Sequence, residues 1–116
     1  MPIALNPKVT WEYVLERERK LDKAKQTIFN LKALSGIQRQ AAKDQFGRGQ
    51  KETFLLIYGL TSWTLKDATG NAVPFKRNDD GDCHLDNLDY LSDDDITELA
   101  LAILKRNRLT KEEEKN

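Results

Sequence analysis

Val9-Thr10-Trp11-Glu12-Tyr13-Val14-Leu15 decides the architecture, because its strongest apolar residues recur at every second position. Val9, Trp11, Tyr13 and Leu15 share one face, and period-two alternation of β-branched and aromatic residues predicts a strand with one buried side. Residues 16–25 are highly charged, with Leu21 the only large apolar residue, and read as a connector. Residues 26–34 alternate again, with Thr27, Phe29, Leu31 and Ala33 on one side and Ile28, Asn30 and Lys32 on the other. Two alternating segments around a polar connector predict an antiparallel pair with a long loop.

The pattern then turns helical. Ser35 is placed to cap a helix whose Ile37, Ala41 and Phe46 fall on one face, and Gly47 and Gly49 would stop it. Residues 53–60 are apolar around the whole circumference, as in a central helix or a core strand; the helix-forming Gln50-Lys51-Glu52 before them and a run extending to Trp63 favour the helix. Residues 64–75 are rich in turn formers: Asp67-Ala68-Thr69-Gly70-Asn71 tolerates a tight reversal, and Pro74 favours an extended Val73. They read as a short hairpin or an extended excursion, and Asn78-Asp79-Asp80-Gly81-Asp82 is a second exposed turn. Leu85-Asp86-Asn87-Leu88-Asp89-Tyr90-Leu91 suits one or two helical turns. Ser92 then caps a helix with Asp93, Asp94 and Asp95 in its first turn, where carboxylates meet the positive end of the dipole. Ile96, Leu99, Ala100, Ile103 and Leu104 form its apolar stripe, and Lys105, Arg106 and Arg108 read as its C-terminal end. Thr110 would cap a final short helix, and no internal repeat is visible.

These readings predict a single small α+β domain, an N-terminal antiparallel β-pair packed against three to four helices. Its regions are β-rich 8–34, helical 36–63, turn or hairpin 64–84, and helical 85–115.

The composition narrows function by exclusion. The chain has 116 residues, 33% of them charged, with 19 Lys and Arg against 19 Asp and Glu. It has no cationic surplus to exchange for counterions, which argues against a nucleic-acid module. One Cys makes neither an internal disulfide nor a Cys-based zinc site, so a reducing compartment is expected. No apolar run approaches the ~18 residues that span a membrane, and the first residues lack a signal-peptide layout. The zero net charge nevertheless conceals a polarity: residues 1–58 hold 11 Lys/Arg and 6 Asp/Glu, residues 59–116 hold 8 and 13. Nine acids and no Lys or Arg lie between Asp79 and Glu98. Such a stretch is either a solvated surface or one that docks on a basic partner, and the two halves could also meet head to tail.

Catalytic and ligand-binding patterns are weak. Cys83 and His84 are adjacent, which separates their side chains in any regular backbone and reads as a surface loop pair rather than a dyad. In Asn78-Asp79-Asp80-Gly81-Asp82 the glycine comes too early for a calcium loop, and no Glu follows at the required distance. Asp93, Asp94 and Asp95 fit capping better than acid–base chemistry. Gly47-Arg48-Gly49-Gln50-Lys51 lacks the phosphate-loop spacing and reads as a turn between helices. Trp11, Tyr13, Trp63 and Phe75 could form a binding surface, but their apolar surroundings favour the core. No catalytic residue, metal ligand or cofactor is expected.

One longer pattern does resemble known proteins. Gly59-Leu60-Thr61-Ser62-Trp63, the Asp67–Asn71 turn, Val73-Pro74-Phe75, the Asn87-Leu88-Asp89-Tyr90-Leu91 stretch and the closing residues 107–116 are similar to small proteins of phage and prophage structural modules. Those proteins are described as tail assembly chaperones or as unassigned head–tail proteins. The likeness covers roughly the last half of the chain, and residues 76–82 depart from it. Trp63, Gly70, Asn71, Pro74 and Phe75 would then form a structural clasp, the turn reversing the chain so that Phe75 packs back near Trp63. The resemblance implies a non-enzymatic protein of the host cytoplasm that binds the tape-measure protein or a tail-tube subunit during assembly. The alternative is a virion component, such as a head–tail connector or minor capsid or tail subunit in a ring. A small regulatory or anti-host binding protein is the third option. No nucleic-acid or membrane partner is expected, and homo-oligomerisation is left open. The candidate contact surface is a groove beside residues 93–106 together with Asp86, Asp89, Asp93, Asp94 and Glu98.

Overall fold

The computed structural model describes residues 10–44 and 51–115. Val9, Phe46 and the predicted turn at residues 47–50 lie outside the described residues. The first alternating segment is β1, Thr10–Tyr13, and the second is β2, Phe29–Lys32. They pair antiparallel with Trp11 opposite Leu31 and Tyr13 opposite Phe29. The connector is organised by its own polar side chains rather than by burial. It contains 3₁₀ turns at Glu16–Glu18 and Lys23–Lys25, Glu18 accepts from Thr27 N at 2.8 Å, and Gln26 donates to the carbonyl of Leu21 at 3.0 Å.

Helix α1, Gly36–Asp44, begins at a reciprocal cap: Gln38 N donates to Ser35 Oγ at 3.2 Å, and Ser35 N donates to Gln38 Oε1 at 3.0 Å. Its buried contact is Ala42, whereas Ile37, expected on the inner face, is 85% exposed. Ile37 sits in the first turn, and the helix meets the core further along, where it packs on α2.

Helix α2, Lys51–Gly59, carries the all-round apolar run but ends sooner than predicted. Leu60–Trp63 is a strand, β3, pairing antiparallel with β2 and completing a sheet of order β1-β2-β3. The helical reading of residues 36–63 is therefore corrected at its end. An apolar run does not distinguish helix from core strand by periodicity. Pairing with β2, distant in sequence, decides it. The register places Asn30 opposite Ser62 but Leu31 opposite Leu60, so β3 bulges at Thr61, whose hydroxyl donates to Asn30 O at 2.9 Å.

Residues 64–84 form two reversals of the same construction, a repeat the sequence did not reveal. In the first, Asp67 Oδ1 accepts from Thr69 N at 2.9 Å and from Asn71 N at 3.0 Å. In the second, Asn78 Oδ1 accepts from Asp80 N at 3.0 Å and from Asp82 N at 2.9 Å. Gly70 and Gly81 occupy the same place with φ of 87° and 83°, a region that favours glycine. Bridges Lys66–Ala72 and Arg77–Cys83 close the two.

A 3₁₀ helix, Leu85–Tyr90, leads to α3, Asp93–Lys115. Ser92 caps α3 as predicted, its hydroxyl accepting from Asp95 N at 3.2 Å. The helix continues unbroken past Thr110, so no separate final helix forms, and Lys105 and Arg106 stand in its middle rather than at its end. Leu99, Ala100 and Ile103 are buried, and α3 packs chiefly on α2. Gly59 makes that approach close: a Cβ there would lie 2.6 Å from Ile103 Cδ1. One continuous cluster joins Leu15, Phe29 and Leu31 of the N-terminal part to Leu55, Leu56, Trp63, Leu88 and α3. Among the described residues, no helix is long and apolar enough to cross a membrane.

Candidate functional site

Of the predicted clasp residues, Trp63 terminates β3 and is almost wholly buried. Its indole N–H donates to Val73 O at 2.9 Å, tying the strand end to the returning arm of the first turn. Phe75 stands edge-on to Trp63 with ring centroids 5.1 Å apart, and Phe29 and Tyr90 meet it at 6.4 Å. Edge-to-face packing places positive ring edges on negative faces. Gly70 and Asn71 lie in the exposed turn, and Pro74, also exposed, stiffens the segment between Val73 and Phe75. Residues 76–82, outside the resembling pattern, lock onto this unit. Arg77 donates to Thr61 O at 2.7 Å and to Gly81 O at 3.2 Å, and its guanidinium lies 5.2 Å from the Phe75 ring centroid.

Behind the second turn, Asn87 is fully buried and hydrogen-bonds the main chain of Lys76. It also donates to Cys83 Sγ at 3.3 Å. Cys83 is thus a core residue, correcting its reading as part of a surface pair, and burial pushes its thiol pKa up. His84 caps the 3₁₀ helix, its Nδ1 accepting from Asp86 N at 3.0 Å. The Asx pattern accounts for the acids and the glycine of residues 78–82 as a turn. Among the described residues, no three His, Cys, Asp or Glu side chains are grouped to hold a metal ion.

The acidic candidates separate into two kinds. Asp86, Asp89, Asp93 and Asp94 are exposed on the 3₁₀ helix and the first turn of α3. Glu98 is not part of that group, because its Oε2 accepts from Tyr13 OH at 2.8 Å and from Glu16 N at 3.0 Å. Burial and the Glu98 carboxylate raise the Tyr13 pKa to about 12. Asp95, buried, forms a two-pronged ion pair with Arg17, one prong at 2.9 Å, and that hydrogen bonding lowers its pKa. The segment from β1 to the first 3₁₀ turn therefore runs antiparallel along α3: Trp11 beside Arg106, Tyr13 on Glu98, Arg17 on Asp95.

Between β1 and α3 lies an open, mostly apolar groove lined by Trp11, Tyr13, Ala102, Lys105 and Arg106. Trp11 and Tyr13, predicted as core, are half-buried and form its wall, with the Arg106 guanidinium 5.6 Å from the Trp11 ring centroid. The period-two pattern marked them as inward-facing, but the edge strand leaves them only partly covered. Comparison with protein-family models, curated protein sequences and solved structures finds no significant match.

Proposed function

We propose that this chain is a non-enzymatic docking protein of phage or prophage morphogenesis, tail assembly chaperone-like, that binds a tape-measure or tail-tube protein during tail assembly. The observation that carries the reading is the packed unit at Trp63. Within the sequence pattern that resembles those proteins, the Trp63 indole donates to Val73 O and stands edge-on to Phe75, which supports reading the pattern as one structural unit. A resembling pattern scattered over unrelated surfaces would carry less. The clasp leaves two surfaces available to a partner: the acidic edge of Asp86, Asp89, Asp93 and Asp94, and the apolar groove beside α3. An acidic edge selects basic partner segments and speeds encounter more than it adds affinity.

Affinity purification of the tagged chain from induced or infected cells, followed by mass spectrometry, tests this reading. A long helical tape-measure protein or a tail-tube subunit should co-purify, and Asp93→Lys with Asp94→Lys should reduce its recovery. Recovery of the chain in purified virions at stoichiometric amounts would overturn it in favour of a connector or minor capsid or tail subunit.

A further inference from the structure

We propose that the groove between β1 and α3 receives the Leu85–Tyr90 segment of a second copy of this chain, giving a head-to-tail contact. This goes beyond the reading above and does not depend on it. The groove offers an apolar floor from Trp11 and Ala102 with Lys105 and Arg106 along its rim. The opposite chemistry is displayed on the 3₁₀ helix, where Leu85 and Tyr90 are each 57% exposed and Asp86 and Asp89 lie between them.

The two surfaces match in kind and in sign. Tyr90 is an anchor already held in place, because its ring rests at 6.4 Å, edge to face, on the buried Trp63. Rigid, partly exposed aromatics lose little entropy on docking and dominate many interfaces. Asp86 and Asp89 would face Lys105 and the rim at Arg106, a pairing that selects register and orientation. The contact cannot be made within one chain. The 3₁₀ helix precedes Asp93, whereas the groove residues of α3 lie at 102–106, about 14–20 Å further along at the α-helical rise. A contact between two different patches is heterologous, so its repetition closes a ring or extends a filament.

Sedimentation velocity of the pure full-length chain tests the contact. At low salt the chain should form oligomers that grow with concentration and dissociate when ionic strength is raised about tenfold, because exposed charges are screened. Asp89→Lys removes one end of the contact and Lys105→Glu the other, and each should weaken self-association about tenfold or more. Both positions are exposed, and unchanged urea midpoints would show that both variants fold. The decisive step is to mix them. Each variant retains the end the other has lost, and the two reversed ends carry opposite charges, so the mixture should regain the association that neither variant shows alone. A chain that stays monomeric at every concentration overturns the proposal and leaves the groove to a different acidic, apolar partner. Oligomers that neither reversal weakens, or a mixture that forms no complex, overturn it as well.

Discussion

The Asn87 carboxamide closes both hydrogen bonds of the Lys76 main chain, accepting from its N–H at 3.0 Å and donating to its carbonyl at 2.7 Å. A side chain thereby takes the place of a neighbouring strand, holding the second turn against the 3₁₀ helix. Asn87 is fully buried, and a variant that removes the amide leaves the Lys76 N–H without its acceptor, while the Lys76 carbonyl keeps the His84 N–H at 3.1 Å. Asn87→Leu should lower stability by about 1–3 kcal/mol in urea denaturation, the cost of the unpartnered Lys76 N–H partly offset by apolar gain. Asn87→Asp keeps one acceptor but turns a second oxygen toward the Lys76 carbonyl. Its loss should be comparable at neutral pH and smaller where the carboxyl is protonated and can donate.

The two Asx-anchored turns make a matched pair of predictions. Neither glycine has an atom within 4 Å of where a Cβ would stand, so only backbone conformation resists substitution. Gly70→Ala and Gly81→Ala should therefore cost similar amounts, about 1–2 kcal/mol each. Asn at either position should cost less, because its side chain tolerates the left-handed region. Equilibrium unfolding of the four variants checks this, and a large difference between the two sites would show that the turns are not equivalent.

Gly59 is constrained by space instead. A Cβ there meets Ile103 Cδ1 at 2.6 Å and Cγ1 and Cγ2 at 3.1 Å, inside the contact distance of carbon atoms. Gly59→Ala gains helix propensity at the last residue of α2 but forces α2 and α3 apart, so it should destabilise by about 1–3 kcal/mol. Ile103→Val removes the nearest methyl. The double variant should recover part of the loss, and additive costs in the cycle would rule out this contact as the cause.

Local patterns in the sequence disclosed part of this fold, and contacts between distant segments made the rest. β1, β2 and the start of α3 were legible because Trp11, Tyr13, Phe29 and Leu31 alternate and Ser92 caps locally. Residues 60–63 were not, since Leu60 and Trp63 extend an apolar run and only pairing with β2 makes them a strand. The repeat at residues 67–71 and 78–82 was hidden because Asp67 and Asn78 are different residues that supply the same acceptor oxygen. The acidic edge could be read from composition, whereas the withdrawal of Glu98 from it could not. Tyr13, its partner, is 85 positions away. Ile37 misled for a related reason: the amphipathic stripe gives a face, but where along that face the core begins depends on the neighbouring helix.

The strap that β1 and its following turn lay along α3 should respond to pH from both sides. Arg17 holds the Asp95 carboxyl below its ordinary value, so the folded pKa is depressed relative to the unfolded chain. Stability from this pair is fully present above the unfolded carboxyl value, about 4, and is lost as pH falls through the folded value. Arg17 is itself largely in solvent, which weakens the pair, so Arg17→Met should cost only about 1–2 kcal/mol at neutral pH. That cost should shrink in acid. Tyr13 has the opposite sign, because its folded pKa is raised to about 12. Its contribution is intact below the unfolded value, about 10, and is lost as pH rises from there through the folded value. Tyr13→Phe removes the phenol proton that Glu98 accepts while keeping the ring against the groove. The variant should lose both the late tyrosinate absorbance and the alkaline part of the stability curve, leaving the acid limb set by Asp95 unchanged. A variant whose acid limb moved instead would show that Tyr13 and Arg17 act on α3 as one coupled contact rather than two.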